Sequence, residues 1–158
     1  MLIKKQLERF LKDFDKLIIM GVGNPLKGDD GLGPFIINGL EDFKNENIIL
    51  IDASTAPENF TGKIVKEKPS HLIIIDATLM DKEPGHIETF KKEDFANVGV
   101  STHSMSLSFL IKYLESFDVT NILFIGIQPE NMDFSLDLSF NVKKNSIELI
   151  DIIKTFFK

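Results

Sequence analysis

Short apolar runs alternate along the chain with longer segments in which apolar residues recur every three or four positions. Four of the runs consist mainly of isoleucine and leucine, which is typical of strands buried on both faces of a parallel sheet. The remaining run is more polar and follows the turn signal Glu83-Pro84-Gly85, so we predict an antiparallel edge strand there. The five predicted strands span residues 16–20, 47–51, 71–75, 86–90 and 121–126.

The segments at helical spacing predict amphipathic helices between these strands. The chain opens with one over residues 1–15, whose apolar face contains Ile3, Leu7, Phe10, Leu11 and Phe14. Further helices are predicted over residues 32–40, 103–117 and 142–157, and a short one within 56–66. This alternation predicts a three-layer α/β/α sandwich around a five-stranded, mostly parallel mixed sheet with one antiparallel strand. No linker interrupts the pattern, so we expect a single domain over residues 1–158.

The composition of the chain excludes several classes of function. The chain has no cysteine, which excludes thiol catalysis, disulfides and thiolate metal sites. Its net charge is −6 and Arg9 is its one arginine, so a nucleic-acid partner is not expected. The N-terminus lacks the apolar centre of a signal peptide, and no apolar run approaches the roughly 18 residues of a membrane span. We therefore expect a soluble, cytoplasmic protein that has no membrane partner.

Acidic residues follow three of the predicted parallel strands. The first strand leads into GVGNPLKGDDGLGP (21–34), which contains Asp29 and Asp30, while Asp52 and Asp76 follow the second and third. The segment Ser101–Ser104, with His103 at its centre, opens a predicted helix. Because ligands in such sheets bind beyond the carboxyl ends of the strands, we expect Asp30, Asp76 and His103 to meet at one edge.

Two other interpretations of the glycine-rich loop remain open at this point. A dinucleotide site needs G-x-G-x-x-G, but Leu26 occupies the third glycine position, and Asp29 and Asp30 would compete with phosphate for the helix N-terminus. Asp52 nevertheless stands where a ribose-binding acid could lie. In a purely structural interpretation Asp29 or Asp30 caps the next helix, Asp76 bonds a neighbouring loop, and the glycines form turns with positive φ.

The positions of the three histidines help to choose between these interpretations. His71 and His86 begin predicted strands and are expected at the surface or at strand ends, whereas His103 stands between hydroxyl residues at a helix start. Two carboxylates and one imidazole form a donor set that suits Zn²⁺ or Ni²⁺ with open positions for water or substrate. The residues alone therefore predict an α/β domain with a candidate open metal site.

The same residues, in the same order, resemble the [NiFe]-hydrogenase maturation endopeptidases. The resemblance covers most of the chain and is closest to the branch that processes hydrogenases of the formate-hydrogenlyase type. It rests on five segments: GVGN through DDGLG (21–33), APEN (56–59), IDAT (75–78), STHSM (101–105) and GIQPE (126–130).

The resemblance implies a phosphorylase/hydrolase-like fold and a function. It assigns Asp30, Asp76 and His103 as the catalytic and metal-contacting residues of an aspartic-type, nickel-dependent processing endopeptidase. Such an enzyme removes the C-terminal extension of a hydrogenase large-subunit precursor after nickel insertion, and it recognises nickel in the substrate instead of keeping it as a permanent cofactor. The resemblance also implies a monomer. A non-catalytic nucleotide- or metal-binding protein is the alternative.

Overall fold

A computed structural model describes residues 2–94 and 104–157 of the chain. Within these residues, five strands form one sheet, and five α-helices surround it. The strands are β1 (Leu17–Val22), β2 (Ile48–Ser54), β3 (His71–Ala77), β4 (Ile87–Lys91) and β5 (Ile122–Ile127). The helices are α1 (Leu2–Phe10), α2 (Leu32–Gly39), α3 (Thr61–Glu67), α4 (Ser104–Glu115) and α5 (Phe140–Lys154).

The strand order is β2-β1-β3-β5-β4, and each neighbouring pair is parallel except β4 with β5. The predicted antiparallel edge strand is therefore confirmed. β1, β3 and β5 are buried along their whole length, as their continuous apolar sequences predict. The prediction for the second run was wrong in one respect, because β2 is the other edge strand and exposes Asp52 and Ser54 near its end.

Two apolar clusters lie on opposite faces of this sheet and produce three layers. Successive residues of a strand point to opposite faces, so Leu17 and Ile19 join one cluster while Ile18 and Met20 join the other. The first cluster packs against α1, α2 and α5, and the second packs against α3 and α4. The predicted α/β/α sandwich is thus the observed fold.

The ends of some helices differ from the sequence-based expectation. The first helix ends at Phe10, although Leu11 and Phe14 beyond it still pack on the core, as their spacing predicts. The segment 56–66 forms a 3₁₀ turn, Pro57–Phe60, followed by α3. No helix among the described residues is both long enough and apolar enough to cross a membrane.

Candidate functional site

The candidate site lies at the carboxyl ends of β1 and β3. The chain passes from β1 to β2 on one side and then crosses back to β3 on the other, so the direction of strand order reverses between β1 and β3. Open α/β sheets bind ligands in the crevice outside such a reversal. The loop that carries Asp30 follows β1, and Asp76 lies near the end of β3.

Close backbone packing at Gly33 and Gly23 holds this edge together. A Cβ atom on Gly33 would lie 2.4 Å from the carbonyl oxygen of Val22 and 3.0 Å from that of Ile75, so the start of α2 rests directly on β1 and β3. Gly23 has a φ of +143°, and a Cβ there would lie 1.8 Å from the carbonyl oxygen of Asp30. Only glycine permits both approaches, and they bring the backbone of Asp30 against the end of β1.

Asp30 is buried in a 3₁₀ turn, Gly28–Gly31, that contacts β3. Its Oδ2 accepts a hydrogen bond from the backbone N–H of Asn24 at 2.9 Å, which ties the carboxylate to the first residues after β1. The Asp30 end of the turn is thus fixed to the residues that follow β1. Backbone contacts fix the position of Asp30. A carboxylate held in this way can bind a ligand with a defined geometry.

Asp76 is fully buried and is the penultimate residue of β3. Its Oδ1 accepts a hydrogen bond from the backbone N–H of Ala77 at 2.8 Å. In the sheet Asp76 pairs with Gly126 of β5, and a Cβ on Gly126 would lie 2.6 Å from the hydroxyl oxygen of Thr78. The structure therefore places Asp30 and Asp76 on contacting elements at the same edge, as the strand-end argument predicts.

Asp29 has a different role from its neighbour. Its Oδ2 accepts hydrogen bonds from the backbone N–H groups of Glu130 and Asn131 at 2.8 and 2.9 Å and from the Ser139 hydroxyl at 2.7 Å. Its Oδ1 accepts the backbone N–H of Ser139 at 2.7 Å. Asp29 therefore fastens the loop after β1 to the segment between β5 and α5.

The prediction that Asp29 or Asp30 caps the next helix was wrong, although Asp29 does have a structural role. The N-cap of α2 is Gly31, and no side chain caps that helix, so neither Asp29 nor Asp30 caps the helix that follows. Positive φ occurs at Gly23 and Gly28, as expected for some of the glycines. Gly21 and Gly33 serve close packing instead.

A cavity of about 640 Å³ opens beside this edge. It is lined by residues 79–82 after β3, by Glu88 and Phe90 of β4, and by Gln128 after β5. The buried Gln128 side chain accepts the backbone N–H of Met80 at 2.6 Å and that of Lys82 at 3.4 Å, which holds the loop after β3 in place. The cavity begins three residues after Asp76 and has the volume of a typical ligand pocket, about 300–1,000 Å³.

The third predicted ligand, His103, lies outside the described residues, as do Ser101 and Thr102. Among the residues that the structure describes, no group of three or more His, Asp or Glu side chains is arranged to hold a metal ion. His86 precedes β4 and its Nε2 lies 3.0 Å from Glu88, near the strand end as expected. His71 also lies at a strand end, but it is buried, which the sequence did not predict.

Two features of the site were missed at the level of sequence. Nothing local signals that Asp29 binds a segment about a hundred residues further along the chain. The loop 79–82 was also not predicted to line a cavity. The available signal was its position directly after IDAT (75–78), which contains the candidate site residue Asp76. No role was predicted for Gln128 within the segment GIQPE (126–130). In the structure its side chain accepts hydrogen bonds from the loop 79–82 and holds that loop in place.

Known proteins of one family match this chain. The profile of the HycI hydrogenase maturation protease family matches residues 36–155. A Methanocaldococcus jannaschii protein provisionally assigned as a hydrogenase maturation protease is 38% identical, over 96% of this chain and 94% of that protein. The Escherichia coli hydrogenase 3 maturation protease is 35% identical, over 80% of this chain and 81% of its own length.

Solved structures agree with the sequence matches. The [NiFe] hydrogenase maturation protease HycI of Thermococcus kodakarensis superposes with a TM-score of 0.88 at 25% identity, covering 96% of this chain and 98% of that one. These matches favour a protease over a nucleotide-binding protein. Because both the family profile and the Escherichia coli enzyme cover most of it, the chain belongs to the HycI family of hydrogenase maturation proteases, and it is an endopeptidase.

Proposed function

We propose that this endopeptidase removes the C-terminal extension of a [NiFe]-hydrogenase large-subunit precursor once nickel has been inserted. One structural observation carries the proposal: two buried carboxylates, Asp30 and Asp76, lie on contacting elements at the strand-order reversal. The family membership supplies the substrate class. The proposal also takes the enzyme to be a cytoplasmic monomer with no nucleic-acid or membrane partner.

Nickel belongs to the substrate in this proposal. Asp30, Asp76 and His103 offer two oxygen donors and one nitrogen donor, which suit Ni²⁺ and leave positions open for the ligands that the precursor itself contributes. Binding of the loaded precursor is favoured because the cation neutralises two buried acids at the carboxyl ends of β1 and β3. A precursor without nickel brings no such charge, so cleavage depends on correct loading.

Two chemical roles for nickel are compatible with this donor set. The ion can act as a Lewis acid that polarises the scissile carbonyl or activates a water. Alternatively the ion only positions the precursor, and a carboxylate takes a proton from the water that attacks the peptide carbonyl, in the manner of an aspartic-type hydrolase. The cavity lined by the loop 79–82, by β4 and by Gln128 provides room for the polypeptide on one side of the cleaved bond.

Cleavage of matched precursor preparations tests the proposal. A nickel-loaded and a nickel-free precursor are incubated with the enzyme, and the products are identified by intact mass. We expect one cut in the loaded precursor and none in the nickel-free one. Equal cleavage of both would refute nickel-dependent recognition, and no cleavage of either would refute the proposed substrate.

Substitution of the metal distinguishes the two chemical roles. The precursor is loaded with Zn²⁺ or Cd²⁺ in place of Ni²⁺, and kcat is compared at saturating precursor. If the ion is a Lewis acid, kcat changes with the metal because the polarising power of the ion changes. If the ion is only a recognition element, every ion that fits the site gives the same kcat and only KM differs.

A further inference from the structure

The segment between β5 and α5 exposes large apolar side chains next to the candidate site. Phe134 is 82% exposed, Leu136 75% and Phe140 80%, while Leu26 in the loop after β1 is 49% exposed. We refer to Leu26, Phe134, Leu136 and Phe140 as the apolar patch. Contiguous exposed apolar surface, in contrast to scattered single residues, marks interaction sites.

Backbone hydrogen bonds join the segment between β5 and α5 to the loop that carries Asp30. The backbone N–H of Ser135 donates to the carbonyl oxygen of Leu26 at 2.9 Å, and that of Gly28 donates to the carbonyl oxygen of Ser135 at 2.8 Å. Phe134 and Leu136 flank Ser135 in sequence. Phe140 follows Ser139, which donates two hydrogen bonds to Asp29, so every member of the patch lies within two residues of such a contact.

The exposed side chains are not needed by the core. Met132 and Leu138 of the same segment pack against the apolar cluster under α1, α2 and α5, whereas Phe134 and Leu136 between them face solvent. The segment therefore has an inner side, Met132 and Leu138, that anchors it and an outer side, Phe134 and Leu136, that is largely exposed. Such an outer side is free to serve binding, because its substitution does not alter the packing of the fold.

The area of the apolar patch indicates whether its partner binds permanently or transiently. Four side chains provide a few hundred Å², in the range of the largest apolar patch on a typical monomer, about 300–600 Å². A stable interface between two copies of a chain needs about 800 Å² on each partner. The patch is thus too small for a lasting dimer and suits a partner that binds briefly and leaves, as a precursor does after it is cut.

We propose that the apolar patch docks the folded body of the hydrogenase precursor while its C-terminal segment enters the crevice between Asp30 and Asp76. This inference rests on the proposed function, since that function supplies the partner. Hydrogen bonds that the backbone N–H groups of Glu130, Asn131 and Ser139 donate to Asp29 hold the docking segment and the Asp30 loop together, so docking and cleavage share one connected unit.

The test compares the double variant Phe134→Ser/Phe140→Ser with a matched control, Phe117→Ser. Phe117 is 50% exposed and lies between α4 and β5. It is therefore near the amino end of β5, whereas the apolar patch follows strand carboxyl ends. KM and kcat are measured on the loaded precursor, and melting temperature reports the fold. We expect the double variant to raise KM at least tenfold with kcat and melting temperature unchanged, because apolar anchors typically contribute more than about 1 kcal/mol each.

The outcomes separate this inference from the proposed function. If the wild-type enzyme cleaves the precursor but KM is unchanged in the double variant, the docking inference is wrong and the proposed function stands. If the Phe117→Ser control raises KM equally, the effect is not specific to the patch, and the inference fails. A wild-type dimer that the double variant disrupts, detected by sedimentation, would identify a second copy of the chain as the true occupant and overturn it as well.

If the wild-type enzyme cleaves no precursor, the proposed function fails and binding is measured directly. Immobilised precursor is titrated with the wild-type enzyme and with the double variant, and Kd is compared. Docking on the patch predicts a Kd at least tenfold weaker for the double variant. Equal Kd values would overturn the docking inference independently of catalysis.

Discussion

At the amino ends of β1 and β3, His71 lies beneath α1, whereas the buried acids Asp30 and Asp76 lie at the carboxyl ends of the same strands. The ring of Phe10 meets the His71 ring edge-on, with centroids 5.0 Å apart, and the Ser70 hydroxyl lies 2.8 Å from His71 Nδ1. Both edges bury polar side chains in contact with their neighbours. Among the described residues, the carboxyl edge has two buried acids and a cavity that begins three residues after Asp76, and we therefore propose this edge as the place of the chemistry.

The largest effect is expected when one of the three predicted catalytic residues is substituted. Asp30→Asn, Asp76→Asn and His103→Ala should each lower the rate of precursor processing at least 100-fold, since acid–base catalysis alone contributes about 10²–10⁴-fold. Processing is followed by the gel shift of the shortened product.

Asp52→Asn is the matched control for these variants. Asp52 lies at the carboxyl end of β2 but is exposed, and its Oδ1 accepts the backbone N–H of Ser54 at 3.0 Å. Its neutralisation should leave processing within about twofold of wild type. Full activity in any one of the three site variants would remove that residue from the site.

A large loss of stability is expected when Asp29 is truncated. Asp29→Ala leaves three backbone donors and one hydroxyl without their buried acceptor, so the free energy of unfolding should fall by about 3 kcal/mol or more. Urea unfolding followed by circular dichroism measures this change. Asp133→Ala, on the same segment but exposed, should change it by less than about 0.5 kcal/mol. Equal effects of the two variants would contradict the fastening role of Asp29.

A smaller loss is expected at Gly33. A Cβ there meets the backbone of Val22 and Ile75, which cannot move without separating β1 from β3, so Gly33→Ala should cost about 1–3 kcal/mol. The control is Gly62→Ala in α3, where a Cβ meets nothing within 4 Å. That variant should be neutral or stabilising, by up to about 1 kcal/mol, because alanine favours the helix. The opposite order of the two stabilities would show that close packing does not hold the carboxyl edge.

The smallest effect is expected at His71, at the amino ends of the strands. It is a dependence of the free energy of unfolding on pH. Burial lowers the pKa of His71, and the nearby Asp13 acts in the opposite direction. The unfolded chain therefore takes up a proton as pH falls through about 6.5, while the folded protein resists it, so stability falls in that range. Above this range the histidine is neutral in both states and its contribution is constant.

Unfolding at pH 7.5 and at pH 5.5 measures this dependence. His71→Gln should lose less stability than wild type between the two values, whereas His86→Gln, which retains His71, should lose as much as wild type. Equal losses in wild type and His71→Gln would show that the burial of His71 does not couple folding to pH.

The sequence was sufficient for those features that depend on local pattern. Runs of isoleucine and leucine predicted the buried strands, and the rule that ligands bind at strand ends placed Asp30 and Asp76 together. The edge position of β2 was missed because its run, 47–51, is as apolar as those of the central strands, and sheet order is set by distant contacts. Asp29 and Asp30 are adjacent in sequence, and the partners of Asp29 far along the chain are what distinguish this structural acid from the candidate functional one.

Anomalous diffraction from crystals soaked with Ni²⁺ tests the central claim most directly. We expect one ion bound by Asp30, Asp76 and His103 at about 2.0–2.2 Å, beyond the carboxyl ends of β1 and β3. A map in which these three side chains point to different places, with the ion elsewhere or absent, would contradict it.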